Sequence, residues 1–195
     1  MRLFGGRINN NLQSGFIDVR AGTLQDGLIF RVDTSLGATE RMRITADGNI
    51  RVTGDVILQG ADCAEDFDVE DPESLEPGSV MVIGEDGCLR QSSEAYDTRV
   101  AGVLSGAGDY RPGIVLDQRE PRLDRLPVAL TGKAFCKVDA GFSPIGVGDL
   151  LTTSPTPGHA MKAGDPLRSH GSVIGKALRA FTTGRGLIPV LIALH

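Results

Sequence analysis

Glu40-Arg41-Met42-Arg43-Ile44-Thr45-Ala46-Asp47-Gly48-Asn49-Ile50-Arg51-Val52 carries the period that sets the fold class. Met42 and Ile44 alternate with Arg41, Arg43 and Thr45, so one edge of this segment is apolar and the other charged, as on a half-buried β-strand. Asp47-Gly48 then supplies a tight turn, because this dipeptide tolerates the positive φ angles that a two-residue hairpin needs. Ile50 and Val52 resume the alternation beyond it.

The same reading extends outward. Phe16–Arg20 and Gly27–Asp33 precede it as short strands, and Val56 and Leu58 form a last strand after the Thr53-Gly54-Asp55 turn. Nothing between residues 16 and 59 has helical spacing. Each strand offers one apolar residue in two, so residues 1–60 cannot enclose a core alone. They are expected to be a short fibre stem whose thin apolar faces pool around a three-fold axis, a homotrimer.

Residues 61–195 are expected to form a compact β-barrel or clip-like domain, making the whole chain all-β. Residues 60–77 mark the boundary: eight of the fifteen residues from Asp62 to Glu76 are acidic, and Pro72 and Pro77 forbid a continuous helix or central strand. An internal duplication is legible beyond it. Gly78-Ser79-Val80-Met81 parallels Gly148-Asp149-Leu150-Leu151, and Gly87-Cys88-Leu89-Arg90 parallels Gly158-His159-Ala160-Met161-Lys162. Val100–Leu104 likewise parallels Val173–Leu178. Between the copies, Arg111–Arg125 has few apolar residues and reads as a surface excursion. Leu187–Leu194 reads as a strand buried on both faces, with Pro189 at its start or on an edge.

Composition narrows the function. In 195 residues Gly occurs 26 times, about twice its ordinary share, while Trp is absent. The longest apolar run, Val190–Leu194, is too short for a membrane helix, and Met1–Arg7 has no signal-peptide core. Three widely spaced cysteines, Cys63, Cys88 and Cys136, make neither a disulfide framework nor a CxxC zinc site. Charge is uneven: residues 1–50 hold six basic and five acidic side chains, 51–108 three and thirteen, and 109–195 eleven and seven. An acidic middle and a basic end attract one another within the molecule or between subunits. The basic residues are dispersed and lack a stacking platform, which argues against nucleic acid.

Two stretches resemble known families. Glu40–Val52 resembles the strand repeats near the C-termini of phage tail fibres, which are homotrimers with an assembly domain following. Gly60-Ala61-Asp62-Cys63-Ala64-Glu65-Asp66-Phe67 resembles the opening of C-terminal domains on phage tail spikes and neck appendages, some of them self-cleaving intramolecular chaperones. Gly60, Ala61, Asp62, Ala64, Glu65 and Phe67 match that opening, whereas Cys63 and Asp66 stand where the family has aromatic residues. The resemblance implies a fibre, spike or tip component of a phage or phage-tail-like particle. Its expected partners are itself, other tail or baseplate proteins and a host-surface glycan, and its expected location is the virion or particle, after synthesis in the bacterial cytoplasm. Neither membrane insertion nor a cofactor is expected.

Chemistry has few handles. Self-cleavage in such chaperones goes with a Ser-Asp bond, and this chain has none, so a self-processing domain is the alternative reading, with a capsid decoration protein as the third. Asp62 and Glu65, three apart in what reads as a tight turn, are the acids that could perturb one another, or else pin the junction by accepting backbone N–H groups. Asp62, Glu65, Asp66 and Asp68 offer oxygen ligands without the spacing of a calcium loop. Cys63 with His159 or His170 offers a thiol and a base, yet Cys63 is not at a processed N-terminus. GxSxG, HExxH, P-loop and dinucleotide fingerprints are absent, and a non-enzyme is expected, with no catalytic or metal-binding residue. Binding is expected on loops, namely Ser105–Arg125 with Tyr110 and Arg122, and Thr152–Arg168 with Thr152, His159 and Lys162.

Overall fold

A computed structural model describes residues 2–8, 11–18, 27–34, 37–119 and 124–194, with 2–18 and 32–38 described by their backbone alone. The protein is nearly all β, and the chain divides into two units, Met1–Ile57 and Leu58–His195.

In the first unit, β1 (Arg2–Ile8) and β2 (Asn11–Asp18) form an antiparallel hairpin. β3 (Leu28–Thr34), β4 (Gly37–Ile44) and β5 (Ile50–Val52) form an antiparallel meander. The pairs Leu28↔Ile44↔Ile50 and Phe30↔Met42↔Val52 put six apolar residues on one face of this sheet. The turn after β4 is longer than expected. Thr45 and Asn49 close it through Thr45 N–H to Asn49 O at 2.8 Å, leaving Ala46-Asp47-Gly48 as a three-residue loop in which Gly48 takes φ +85°. The expected strand at Val56 and Leu58 is not formed: Val56, Ile57 and Leu58 lie outside any strand and are exposed. Of the expected Phe16–Arg20 strand, the part up to Asp18 belongs to β2, and Val19 and Arg20 lie outside the described residues.

The second unit is built from β6 (Asp62–Asp68), β7 (Val80–Ile83), β8 (Leu89–Gln91), β9 (Val100–Leu104), β10 (Pro112–Leu116), β11 (Arg125–Asp139), β12 (Leu150–Thr153), β13 (Ala160–Lys162), α1 (Pro166–Ser169), β14 (Val173–Ala177) and β15 (Arg185–Ala193). The 15-residue β11 is shared by two five-stranded rings. Its N-terminal half pairs with β6 and β9, then β9 with β7 and β7 with β8. That first barrel closes where Val69 bridges Leu89 in parallel and Glu70 N–H reaches Leu89 O at 2.9 Å. The C-terminal half of β11 pairs with β15, then β14, β12 and β13, and the second barrel closes at Val138↔Ala160, also in parallel.

The two rings share more than strand order. Met81↔Gly102 and Leu151↔Gly175 are corresponding pairs, and each barrel has its bulge immediately after that pair. Val128↔Leu104 corresponds to Val190↔Ala177, and Pro127 to Pro189. Gly78 N–H to Leu104 O and Gly148 N–H to Ala177 O are the same bond twice, 2.7 and 2.8 Å. The three pairs of segments matched in the sequence therefore occupy equivalent places. Gly102 (φ +154°) and Gly175 (φ +157°) do so because a Cβ there would lie 2.5 Å from Ala129 O and 2.0 Å from Leu191 O.

Equivalent positions also fill the interiors. Val69, Met81, Leu89, Leu104 and Val128 form the buried core of the first barrel, with Phe67, Leu126 and Leu130 against it. Val138, Leu151, Ala160, Ala177 and Val190 take the same places in the second, joined by Cys136, Ile174, Ile188 and Ile192.

Two expectations about strands are corrected. Pro189 stands mid-strand in β15, between β11 and β14, instead of at a start or edge. It is tolerated because N–H and C=O of one residue in an antiparallel strand face the same neighbour: Pro189 O accepts Leu178 N–H at 3.0 Å, so the missing proline N–H faces β14 just past its last pair, Ala177↔Val190, and costs the β11 ladder nothing. Nor is β15 buried on both faces. Ile188, Val190 and Ile192 are buried, while Leu191 is 41% exposed.

Candidate functional site

The acidic junction is ordered by strand alternation. Asp62 and Glu65 lie on β6, not in a turn, and on opposite faces of it: Asp62, Ala64 and Asp66 are buried, while Cys63, Glu65 and Phe67 are half-buried. An Asp62–Glu65 pair is therefore not formed. Asp62 accepts from the Ser105 hydroxyl, with Oγ at 2.8 and 3.1 Å from its two carboxylate oxygens, rather than from backbone N–H groups. Burial pushes its pKa up and the Ser105 hydrogen bond pulls it part of the way back. Phe67 packs on the first core. Gly60 runs so close to Gly113 that a Cβ there would sit 2.2 Å from its backbone, which explains the glycine of the junction motif. Ala61 N–H donates to Arg111 O at 2.8 Å, and Ala61 O accepts from Lys133 N–H at 2.9 Å. Among the described residues, no group of three or more His, Cys, Asp or Glu side chains is placed to hold a metal.

Of the expected binding loops, neither is simply a loop. Ser105–Arg125 contains β10, which pairs in parallel with β6. Thr152 lies in β12, wholly buried, its hydroxyl donating to Ser172 O at 2.9 Å, so it is a structural residue and cannot meet a ligand. Lys162 is on β13, paired with Asp149 at 2.8 Å. Arg122 lies outside the described residues. Tyr110 is half-buried, its ring 4.9 Å from that of Phe135 and covered by Lys133 Nζ at 5.4 Å. Tyr96 is likewise occupied, with Arg168 4.4 Å over its ring and its hydroxyl accepting Gly164 and Asp165 N–H. Cys63 is flanked by β10 and β11, whereas His159 Nδ1 is 2.7 Å from Pro157 O on the β12–β13 turn of the other barrel. A carbonyl can only accept, so Nδ1 is assigned the hydrogen and a neutral ring offers Nε2 as an acceptor.

The structure instead gathers charge at the seam of the two barrels. A cleft of about 650 Å³ is lined by Glu76 and Pro77 ahead of β7, Gly106–Gly108 and Arg111 after β9, Lys137 on β11, His159, and Arg185–Leu187 at the start of β15. Of these, the sequence singled out His159 by name, and Gly106–Gly108 and Arg111 fall in the expected Ser105–Arg125 loop. Lys137 Nζ is 2.6 Å from Glu76, and that hydrogen bond holds the Glu76 carboxyl below its ordinary pKa. Arg185 is 67% exposed while its Nε rests on the buried Asp139 at 3.1 Å. Asp139 also accepts from the Thr156 hydroxyl (2.7 Å) and Gly141 N–H (2.8 Å), and is held below the usual carboxylate range by them. Arg111 is kept in place by the carbonyls of Gly106, Gly108 and Tyr110 at 2.8–2.9 Å, and among the described residues no carboxylate pairs with it. Arg111, Lys137 and Arg185 come from three distant parts of the chain, so no local pattern could reveal them. The cleft presents fixed guanidinium donors and an imidazole to an anionic or hydroxylated ligand.

Compared with protein-family models, curated proteins and solved structures, the chain matches none. Among the described residues no helix is long and apolar enough to cross a membrane.

Proposed function

We propose that the chain is a non-catalytic structural protein, a fibre, spike or tip component of a phage or phage-tail-like particle that assembles as a homotrimer and attaches to a host surface. The observation that carries the assembly half is the one-sided sheet of the first unit. Leu28, Phe30, Met42, Ile44, Ile50 and Val52 share one face, and in the single chain Ile50 is 64% exposed while Phe30 and Val52 are each 41% exposed. A three-stranded sheet with a bare apolar face gains its stability from cover, and identical faces around a three-fold axis supply it.

Attachment is assigned to the seam cleft. Arg111 is its one charge without a described ion-pair partner, the exposed Arg185 guanidinium lies beside it, and neither described tyrosine offers an open stacking face, so the matching ligand is an acidic surface glycan held by ion pairs and hydrogen bonds. Each cleft alone binds weakly, and threefold display raises avidity by roughly 10²–10⁴.

Light scattering of the full chain tests assembly: a mass three times 20.6 kDa is expected, and a monomer at micromolar concentration overturns it. Adsorption of intact trimer to host cells or to an array of acidic glycans tests attachment, with Arg111→Ala and Arg185→Ala expected to abolish it. A trimer that docks on its parent particle but adsorbs to nothing is a connector instead.

A further inference from the structure

The two barrels are equivalent, yet among the described residues of the second unit the first barrel has this outer face covered and the second does not. Val80, Val103 and Ala129 alternate with the interior residues Met81, Leu104 and Val128, so they point outward from the first barrel, and each is wholly buried against the second. Their counterparts on the second barrel are Leu150, Lys176 and Leu191. These are open to solvent, with Leu150 40% and Leu191 41% exposed, and with Gly175 and Ala193 they line a hollow of about 180 Å³.

The receiving side is duplicated too. Within the chain the second barrel receives Val80 through Gly158 O, which accepts Val80 N–H at 2.9 Å, and meets the next loop through Thr153 O, which accepts Tyr96 N–H at 3.2 Å. The counterparts of Gly158 and Thr153 on the first barrel are Gly87 and Ile83. Thr153 is buried, whereas Ile83 is 45% exposed. A Cβ on Gly158 would strike Gln91, but the space beside Gly87 is empty. Glu70, Glu85, Asp86 and Arg90 rim this second bare face around a hollow of about 310 Å³, three carboxylates to one guanidinium.

We propose that the outer face of the second barrel docks on the acidic side of the first barrel of another copy, repeating between chains the contact that the two barrels make within one. The faces suit each other: Leu150 and Leu191 meet Ile83, and Lys176, standing where the buried contact has Val103, meets the carboxylates. The acidic middle and basic end of the sequence are the linear trace of that match. The interface is head-to-tail, joining unlike faces, so it repeats until it closes. Closure after three copies makes a ring of six barrels in one recurring contact. This contact does not depend on the stem, because its two faces lie wholly within the second unit.

Total mass cannot separate it from a stem-held trimer, so the test reads the two faces locally in the full chain. Hydrogen exchange is followed at 83–89 and at β14–β15, together with alkylation of Cys88, which is half-buried beside Gly87, against half-buried Cys63 as an internal reference. Leu191→Asp is expected to raise Cys88 alkylation and exchange on both faces together by about tenfold or more, leaving Cys63 unchanged. Lys176→Glu does the same, and adding Glu85→Lys and Asp86→Lys to it restores protection. Ile50→Glu, in the stem, leaves the protection in place. Rates unmoved by Leu191→Asp, protection of one face without the other, or failure of the charge swap to rescue would each overturn the proposal. Leu191 is exposed in the single chain, and an unchanged melting profile of Leu191→Asp at high dilution shows that the variant still folds.

Discussion

Gly175→Ala tests the equivalence of the barrels at its tightest point. Gly175 has φ +157°, a region that residues with a Cβ rarely enter, at a cost of roughly 1–3 kcal/mol. The added methyl would also start 2.0 Å from Leu191 O, where ordinary contact begins near 3.4 Å, so β14 and β15 must part locally. Loss of one ladder hydrogen bond there adds about 1 kcal/mol. The expected cost is about 2–4 kcal/mol, a fall of roughly 10 °C in melting temperature for a unit of this size. Gly102→Ala is expected to fall in the same class, since its methyl would meet Ala129 O at 2.5 Å in the corresponding place. Gly87→Ala is the control: φ is +87°, but nothing lies within 4 Å of the added carbon, so strain alone applies, about 1 kcal/mol. Thermal and urea unfolding of the three variants decide the matter. If Gly175→Ala melts within about 2 °C of the parent, or no lower than Gly87→Ala, the close approach of β14 to β15 is wrong.

Three further outcomes are expected. Asp139 is held below its ordinary pKa by Thr156, Gly141 and Arg185, so its contribution is complete above the unfolded carboxylate value and is lost as pH falls through the folded one. Asp139→Asn should therefore lower stability at neutral pH and flatten the acid limb of a denaturation curve, and an unchanged limb refutes this. Asp62 has the opposite sign: its raised pKa means that the folded state takes up a proton first, and stability grows as pH drops from the folded toward the unfolded value. Asp62→Asn, which keeps an acceptor for Ser105, should raise the urea midpoint at neutral pH and remove that growth; a lower midpoint counts against a buried carboxylate. Finally, burial drives the Cys136 thiol up to about 12 and leaves it without solvent access, so in native protein half-buried Cys63 is alkylated while Cys136 waits for unfolding. Mass spectrometry showing early Cys136 labelling would contradict the core of the second barrel.

Strand periodicity is a property of single segments, so an all-β chain, the turn at Asp47-Gly48 and three pairs of look-alike segments were legible from the residues alone. These features are legible because alternation and turn chemistry act over a few residues. What each strand meets is not local. Gly102 and Gly175 look like ordinary turn glycines until the neighbouring carbonyl is in place. Thr152 reads as a loop hydroxyl until β13 and β14 flank it, and Asp62 and Glu65 read as neighbours until the pleat sends them to opposite faces. Pro189 looks forbidden in a central strand until β14 is seen to end beside it. Long-range pairing joins residues 60 or more apart, as when Glu76 meets Lys137, and no short pattern encodes such a meeting. The closure of two rings on one shared strand, and with it the seam cleft and the one covered outer face, was decided only in the tertiary structure, because burial depends on which surfaces the folded chain brings together.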